Sequence, residues 1–505
     1  MFEGQPKGLY ALALANTGER FGYYTMLAVF ALFLRANYGL APGTAGVIYS
    51  SFLMFVYFFP LFGGMLADKF GFGKMVTTGI LIMFAGYVLL SVPLGGDTFA
   101  LVVMLGALLA IGFGTGLFKG NLQVMVGDLY NEPQYADKRD SGFSIFYMAI
   151  NIGALFAPTA AIRIMEWAQK SWNVSENDSY HFAFAVACVS LILSIAIYYA
   201  FRSTFRHVEG GKKKNGDKAT VVDELSPAET KERMTALILV FAVVIFFWMA
   251  FHQNGLSLTY FANEFNEQSA EGVKAMAFNV WNLVAIIFMV YASFSVFQGK
   301  TVKSKCIAVV VVLAALCFLG YNYGLLDGEV VEVKAPIFQQ FNPFYVVALT
   351  PVSLALFGWL AANNKEPKAP RKIAYGMIVA AVAFCLMLYA SLTLPSPNEQ
   401  AALGEAAPRA SSYWLISTYL ILTFGELLLS PMGISFVSKV APPKYKGMMM
   451  GGWFVSTAIG NQLVMFGGIL WGDLPLWAVW GVFASVCLVA ALFMFAMMKR
   501  LEKVC

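Results

Sequence analysis

The chain has 505 residues, of which 59% are hydrophobic and 12% are charged. Soluble globular proteins carry roughly 25% charged residues, so this composition excludes an ordinary water-soluble domain and indicates that lipid is the main solvent. The net charge of +5 comes from Lys and Arg in short segments between apolar runs, which argues against nucleic acid as a partner.

A membrane-spanning helix needs about 20 mostly apolar residues. The sequence predicts fourteen such spans, at residues 10–37, 44–67, 73–95, 99–127, 142–165, 180–202, 233–262, 272–298, 303–325, 337–362, 371–393, 411–439, 447–471 and 475–499. Alternate connecting segments are basic, from Lys69 and Lys74 near the start to Lys499 and Arg500 at the end. Basic segments stay in the cytoplasm, so we expect both termini to be cytoplasmic, in agreement with an even number of spans.

One long polar segment, residues 203–232, divides the chain. Its composition is typical of a solvated linker. Six predicted spans precede it and eight follow it. The sequence therefore predicts an all-α membrane protein with an N-terminal six-helix bundle (1–202), a cytoplasmic linker (203–232) and a C-terminal bundle (233–505) that includes an extra helix pair at about 272–325. Two bundles joined in this way are typical of the major facilitator fold.

Ionisable side chains inside the apolar spans are the strongest functional signal. Each costs about 2.5–3.5 kcal/mol at the centre of a helix, so it is expected to face a partner or an aqueous cavity. They are Glu19 and Arg20 in the first span, Lys119 in the fourth, His252 in the seventh and Glu426 in the twelfth. One interpretation is that they form structural ion pairs, Glu19 with Arg20 or Lys119 with Glu426.

The second interpretation is a central aqueous cavity with bases on the N-terminal bundle and an acid on the C-terminal bundle. Arg20 and Lys119 would hold the carboxylate of a zwitterion such as a peptide, and Glu426 would hold its ammonium. Aromatic side chains would form the walls, with ordinary helix packing as the alternative for each of them. The candidates are Tyr23, Tyr24, Trp248, Trp453 and Phe454.

Five ordered stretches together resemble the proton-dependent oligopeptide transporter family of the major facilitator superfamily. They are NTGERFGYY, LFGGMLADKFG, GTGLFKGN, FSIFYMAINIGALFAP, and YLILTFGELLLSPMGISFVSKVAP with the following GMMMGGWFVSTAIGN. Any one of these matches alone is weak, whereas the five in order are specific.

The resemblance implies a role for each matching residue. Arg20 and Lys119 would bind the peptide carboxylate, and Glu19 would take part in proton coupling. The amino end of the peptide would be bound by Asn151, Asn342 and Glu426, with Ser430 nearby, and the side-chain pockets would be lined by Tyr23, Tyr24, Trp248, Trp453 and Phe454.

The chain also departs from the family pattern. Asn16 stands where the family motif has Glu, and Leu27 stands where Arg is frequent, so one titratable site is missing. His252 occupies a position that is often acidic, and its reference pKa of about 6.5 makes it a second candidate for proton coupling beside Glu426. A hydrogen-bonded polar residue beside Gln253 is the alternative for His252. The extra spans follow the seventh helix, where a peripheral structural hairpin is the simplest interpretation.

The sequence therefore predicts a secondary active transporter that imports di- and tripeptides by proton symport with alternating access. The alternatives are a major facilitator transporter for another small solute (nitrate or an amino-acid conjugate), a peptide transporter with altered proton coupling, and a peptide receptor. No pattern indicates an enzyme, and the six cysteines show no metal-binding spacing. We expect a monomer in the inner (cytoplasmic) membrane of a bacterium, with small peptides and membrane lipid as partners and a proton gradient in place of a cofactor.

Overall fold

The computed structural model describes residues 4–210, 225–299, 301–472 and 474–504, so residues 211–224 of the predicted linker lie outside the described residues. The helices are α1 (Lys7–Tyr38), α2 (Pro42–Phe58), α3 (Pro60–Phe70), α4 (Phe72–Ser91), α5 (Thr98–Asp128), α6 (Arg139–Trp172), α7 (Glu176–Ala200), α8 (Pro227–Phe251), α9 (Ser257–Glu264), α10 (Gly272–Met276), α11 (Val280–Gln298), α12 (Val302–Leu326), α13 (Phe341–Ala362), α14 (Ala369–Ala390), α15 (Pro397–Leu403), α16 (Ser412–Val440), α17 (Lys446–Leu463), α18 (Met465–Ile469) and α19 (Leu476–Lys503). Two short strands, β1 (Ser269–Ala270) and β2 (Val331–Glu332), pair antiparallel.

Helix boundaries follow local capping chemistry. The helix after the linker, α8, begins with a capping box in which the Ser226 hydroxyl accepts a hydrogen bond from the Glu229 amide (3.3 Å) and the Glu229 carboxylate accepts one from the Ser226 amide (3.0 Å). Pro227 at the first helical position lacks the amide hydrogen that the first turn leaves unpaired. The helix therefore begins at Pro227, six residues before the start of the predicted span 233–262. At the end of α1, Gly39 has a φ of +61°, which only glycine adopts without strain.

Twelve helical segments of the described chain are long and apolar enough to cross a membrane, and each overlaps a predicted span. Two predicted spans are missing from these twelve. One is α1, which carries Glu19 and Arg20 near its middle, and the other is α17 with α18, which is interrupted at Val464. The chain is a multi-pass helical membrane protein, and the count of fourteen spans stays a prediction.

The helices pack mainly with neighbours from their own half of the chain. We call α1–α7 the N-terminal helices and α8–α19 the C-terminal helices. Among the former, α1 packs on α6 and α7, and α4 packs on α5; among the latter, α14 packs on α16 and α19, and α8 packs on α17. Across the two sets, α2 packs on α17 and α18, and α6 packs on α13. The division into bundles at 202 and 233 remains a proposal.

The two sets meet closely at the end of the molecule where α1 ends. Arg35 of α1 forms an ion pair with Glu264 of α9, and the Tyr260 hydroxyl donates to the Pro42 carbonyl at 3.3 Å. A Cβ atom added to Gly468 of α18 would lie 3.1 Å from the Cα of Gly46 of α2, so the two backbones are in contact. We call this end of the molecule the closed end.

The predicted extra helix pair forms a hairpin of α11 and α12. The predicted span starting at 272 is wrong at its start, because α11 begins at Val280, where the Asn279 side chain accepts a hydrogen bond from the Trp281 amide (3.0 Å). Residues 272–276 belong to the separate helix α10. Of α12, only Ala308 and Ala315 are buried, so the hairpin is peripheral.

The base of this hairpin nevertheless contacts the N-terminal helices. Ser269 pairs with Glu332 through β1 and β2, which brings the two ends of the insertion together. Trp281 lies edge-on to Phe156 of α6, with ring centres 5.4 Å apart. The Lys334 ammonium lies 3.1 Å from the carboxylate of Glu166, also on α6.

The contact of α2 with α18 gives a first prediction. We expect Gly468→Val to lower the free energy of unfolding by about 1–3 kcal/mol, because the added side chain must push two packed backbones apart. Thermal unfolding of the purified protein in detergent measures the effect. Gly106→Val is the matched control, since a Cβ added to Gly106 meets no atom within 4 Å. Equal unfolding temperatures for the two variants would contradict the close approach.

Candidate functional site

Glu19 and Arg20, near the middle of α1, form an ion pair with each other. Arg20 donates from Nε and from Nη2 to the two carboxylate oxygens of Glu19, both at 2.5 Å, and the two residues are 3% and 1% exposed. The Arg20 guanidinium also lies over the Tyr23 ring, 4.5 Å from its centre. This is the structural ion pair that the first interpretation of the sequence predicts. Two of the five N–H donors of the guanidinium are engaged in this pair, so three remain for a ligand.

Lys119 of α5 is in a different situation. Its ammonium lies 4.0 Å from the centre of the Tyr57 ring of α2, where the π face of the ring partly replaces lost hydration. Within the described part of the chain, no carboxylate lies within 4.0 Å of this ammonium. The predicted ion pair of Lys119 with Glu426 is therefore not formed, and Lys119 can pair with an anion that enters the site.

Glu426 of α16 is 8% exposed and is held by hydrogen bonds from neutral groups. The Asn342 amide of α13 donates to Oε2 at 2.9 Å, and the Tyr147 hydroxyl of α6 donates to Oε1 at 3.5 Å. The same Asn342 amide also donates to the Thr423 hydroxyl at 3.0 Å. The carboxylate thus bridges the two sets of helices without a cationic partner among the described residues.

Two tyrosines connect the basic and the acidic parts of the site. Tyr24 of α1 and Tyr57 of α2 each lie within electrostatic range of both Arg20 and Glu426. Lys119 in turn lies within range of Arg20 and of Glu19. The three charged groups that the sequence singles out, Arg20, Lys119 and Glu426, therefore share Tyr24, Tyr57 or each other as electrostatic neighbours in the region between the two sets of helices.

His252 caps the C-terminal end of α8 at the edge of this region. Its ring is stacked on that of Trp248, with centres 5.1 Å apart and planes 21° apart. Its Nδ1 atom lies 2.5 Å from the Oδ1 atom of Asn461 of α17. His252 is thus a hydrogen-bonded polar residue, as the alternative predicts, and the neighbouring Gln253 donates to the Val464 carbonyl at 3.0 Å.

Three further predicted residues, Asn151, Ser430 and Tyr23, form no hydrogen bond with Glu426 among the described residues. Asn151 donates to the Tyr147 carbonyl one turn earlier on α6, at 3.0 Å. Ser430 is half-buried one turn after Glu426 and forms no hydrogen bond among the described residues. Tyr23 packs edge-on against Tyr24 at 5.1 Å.

Trp453 and Phe454 differ in their surroundings. The Trp453 indole is 4% exposed and lies directly over Gly433 of α16, where any side chain would collide with it. Packing between α16 and α17 therefore accounts for Trp453 in this state. Phe454 is half-buried. Pocket-lining roles for both residues stay predictions.

Four site residues were missing from the sequence-based set. Tyr147 and Asn461 both lie inside stretches that carry the family resemblance, Tyr147 four residues before Asn151, so helical spacing was an available signal. Thr423 precedes Glu426 by three residues, on the same helix face. For Tyr57, which lies in a run of aromatic residues, the sequence holds no such signal.

A family model for the POT family matches residues 73–222 and 325–466, which together make up more than half of the chain. The chain belongs to the POT family. This confirms the family that the sequence motifs resemble, and because the members are transporters, the chain is a transporter and not an enzyme. Within the described residues, no cluster of three or more His, Cys, Asp or Glu side chains is placed to hold a metal ion.

Individual relatives agree with this assignment. The uncharacterized transporter YclF of Bacillus subtilis is 28% identical over 482 residues, covering 92% of this chain and 87% of the relative. The di-/tripeptide transporter of Lactococcus lactis subsp. lactis is 27% identical over 497 residues, covering 92% and 89%. The crystal structure of a mutant of a peptide transporter POT, in complex with alafosfalin, superposes with a TM-score of 0.74 at 24% identity, covering 100% of this chain and 96% of that chain, and shows that the fold is the same. The predicted major facilitator fold is thereby confirmed.

The Glu19–Arg20 pair gives a second prediction. We expect Glu19→Gln to lower the free energy of unfolding by about 3–5 kcal/mol, because it leaves the buried Arg20 without a counter-charge. The double variant Glu19→Gln/Arg20→Gln should recover part of this loss, since no unpaired charge remains. Thermal unfolding of the three proteins measures both effects. A single variant as stable as the unchanged protein, or a double variant less stable than the single one, would contradict the buried pair.

Proposed function

We propose that this protein is a secondary active transporter that imports di- and tripeptides, driven by a proton gradient. The observation that carries the proposal is the pair of opposite charges, Lys119 and Glu426, which lie on different sets of helices and do not neutralise each other. A peptide in its zwitterionic form has the complementary charges at its two ends. The printed name of the Lactococcus relative, a di-/tripeptide transporter, supports the same substrate class.

The peptide carboxylate pairs with Lys119 in this proposal, and Arg20 contributes through the N–H donors that Glu19 does not use. The peptide ammonium binds Glu426, where Asn342 already orients the carboxylate. Asn151 and Ser430 are placed near the amino end. The side chains of the peptide contact aromatic walls, which tolerate varied shapes because the contacts are non-directional. These walls are Tyr23, Tyr24, Trp248, Trp453 and Phe454.

Proton coupling is assigned to Glu426 and His252, with Glu19 in a supporting role through its pair with Arg20. Asn16 cannot titrate, so the proton is assigned in this proposal to the carboxylates and the imidazole of the site. A proton on Glu426 neutralises the carboxylate and breaks its pairing with a cation, which changes the state that the transporter prefers. Binding and release are thus linked to protonation through one carboxylate.

Alternating access follows from the position of the closed end. We propose that the N-terminal and C-terminal bundles rock about the midplane site, with the linker on the cytoplasmic side. The basic connecting segments favour cytoplasmic termini, and with that orientation the closed end faces outwards. Opening outwards then requires the Arg35–Glu264 pair to separate.

The unit of transport in this proposal is a single chain in the inner membrane of a bacterium. The apolar outer faces of helices such as α12 are suited to contact with lipid. The energy source is the proton gradient, with no cofactor.

The role of Glu426 gives a third prediction, tested in proteoliposomes with radiolabelled dipeptide. We expect Glu426→Gln to abolish accumulation driven by an imposed pH gradient but to preserve peptide counterflow, because the neutral amide cannot exchange a proton yet can still accept a hydrogen bond. Glu332→Gln, which replaces an exposed carboxylate outside the site, should leave both activities unchanged. Gradient-driven accumulation by Glu426→Gln would refute the assignment.

The role of Lys119 gives a fourth prediction. The unchanged protein should prefer dialanine over dialanine amide as a competitor of uptake, because only the former offers a carboxylate. In Lys119→Gln we expect dialanine to bind about 10- to 100-fold more weakly and this preference to disappear, since a charged hydrogen bond contributes roughly 1.5–3 kcal/mol.

Competition assays on Lys119→Gln and on the surface control Lys74→Gln measure both values. A persistent preference for the free carboxylate in Lys119→Gln would place the carboxylate elsewhere. Failure of every tested dipeptide to compete in the unchanged protein would instead favour another small solute as the substrate.

A further inference from the structure

Asn461 of α17 joins the two sets of helices beside the site. The residue is fully buried, and its side-chain amide has two recorded partners. Its Oδ1 atom lies 2.5 Å from Nδ1 of His252 on α8, and its Nδ2 atom donates to the Leu53 carbonyl of α2 at 3.4 Å. One amide therefore contacts a titratable side chain of the C-terminal helices and the backbone of an N-terminal helix.

The chemistry of an amide fixes the protonation of its partner. An amide oxygen only accepts hydrogen bonds and an amide nitrogen only donates them. Because Nδ2 of Asn461 is turned towards the Leu53 carbonyl, Oδ1 is turned towards His252 and must accept from its Nδ1. The hydrogen of the neutral imidazole is then on Nδ1, and Nε2 is the basic nitrogen that remains.

We propose that Asn461 is a positioning residue for proton coupling. It holds neutral His252 with its hydrogen on Nδ1, so that Nε2 accepts the transported proton. It does so as long as α2 and α17 are in contact. The proposal rests on the function proposed above. It adds a residue that no family motif or relative's name assigns to the proton. It also explains why a histidine can serve at a position where relatives often carry an acid.

The groups that face His252 link this proton to the peptide. From α2 comes Tyr57, whose ring centre is 6.3 Å away, and from α5 comes Lys119, which lies within electrostatic range; Trp248 of α8 covers the ring face. Arg20 and Glu19 of α1 lie beyond Lys119 and neutralise each other.

The positive charge of Lys119 disfavours a second positive charge on His252. A peptide carboxylate on Lys119 offsets that charge, so peptide and proton bind more tightly together than separately.

The contact with Leu53 makes the arrangement depend on the state of the transporter. Leu53 is on α2 and Asn461 is on α17, and these helices belong to the two sets that must separate when the closed end opens. Without the Leu53 carbonyl, the amide of Asn461 is free to turn and to present its nitrogen to His252. The hydrogen of neutral His252 then moves to Nε2, and the proton-accepting atom no longer faces the same neighbours.

Nitrogen NMR on the full-length protein in lipid nanodiscs tests the proposal directly. The chain has three histidines, so ¹⁵N-histidine labelling gives few signals, and the signals lost in His252→Gln identify those of His252. We expect the Nδ1–H form for neutral His252 in the unchanged protein and a mixture with the Nε2–H form in Asn461→Leu. In Asn461→Asp we expect the titration midpoint of His252 to rise by about one pH unit or more, because a carboxylate stabilises the imidazolium.

Thr457→Val is the matched control. Thr457 lies one turn before Asn461 on the same helix, is 2% exposed, and its hydroxyl donates only to the Trp453 carbonyl of its own helix, at 3.1 Å, among the described residues. This variant should leave the His252 signals unchanged. Asn461→Asp is nearly isosteric, so it keeps the test decisive if Asn461→Leu fails to fold.

A second measurement separates this inference from the proposed function. In proteoliposomes, Asn461→Asp should move the pH dependence of gradient-driven dipeptide uptake upwards by about the same amount as the His252 midpoint. An Nε2–H form in the unchanged protein, or a His252 midpoint that Asn461→Asp does not move, overturns the inference even if peptides are transported. Expected NMR results with no dipeptide uptake by the unchanged protein would refute the proposed function and leave the positioning role of Asn461 standing.

Discussion

A charge placed inside a bundle of apolar helices loses its hydration, and the structure must replace it with a counter-charge, hydrogen bonds or an aromatic face. This chain uses all three. Glu19 and Arg20 neutralise each other completely, whereas Lys119 receives a tyrosine ring and Glu426 receives neutral donors. The difference separates structural from functional charges, because a charge that has no opposite charge beside it keeps its affinity for a charged ligand. The proposed binding of a zwitterion depends on this distinction.

Much of the fold was predictable from apolar length alone. Twelve predicted spans overlap helical segments of suitable length, since a run of about 20 apolar residues has few alternatives in lipid. The start of α8 at Pro227 and of α11 at Val280 depends on caps formed by single side chains, which span counting does not weigh. The closed end was not predictable, because Arg35 and Glu264 are 229 residues apart and no periodicity relates them.

The site was predictable as a set of residues but not as a set of bonds. Arg20, Lys119, Glu426 and His252 were identifiable because ionisable residues are rare in apolar spans. Their partners were not, since the tyrosine that faces Lys119 is one of many aromatic residues in this chain. The pairing of Arg20 with Glu19 was one of two alternatives that the sequence left open. Which alternative applies depends on side-chain direction, and neighbouring positions in the sequence do not determine that.

The two-residue ladder of β1 and β2 has an architectural consequence for the α11–α12 hairpin. Because Ser269 and Glu332 are held side by side, the chain leaves and re-enters the bundle at almost the same point. An insertion whose two ends are adjacent can be gained, lost or exchanged during evolution without a change in the path of the flanking helices. Trp281 of the hairpin and Lys334 beside it both contact α6, so the base of the insertion is attached to the N-terminal helices.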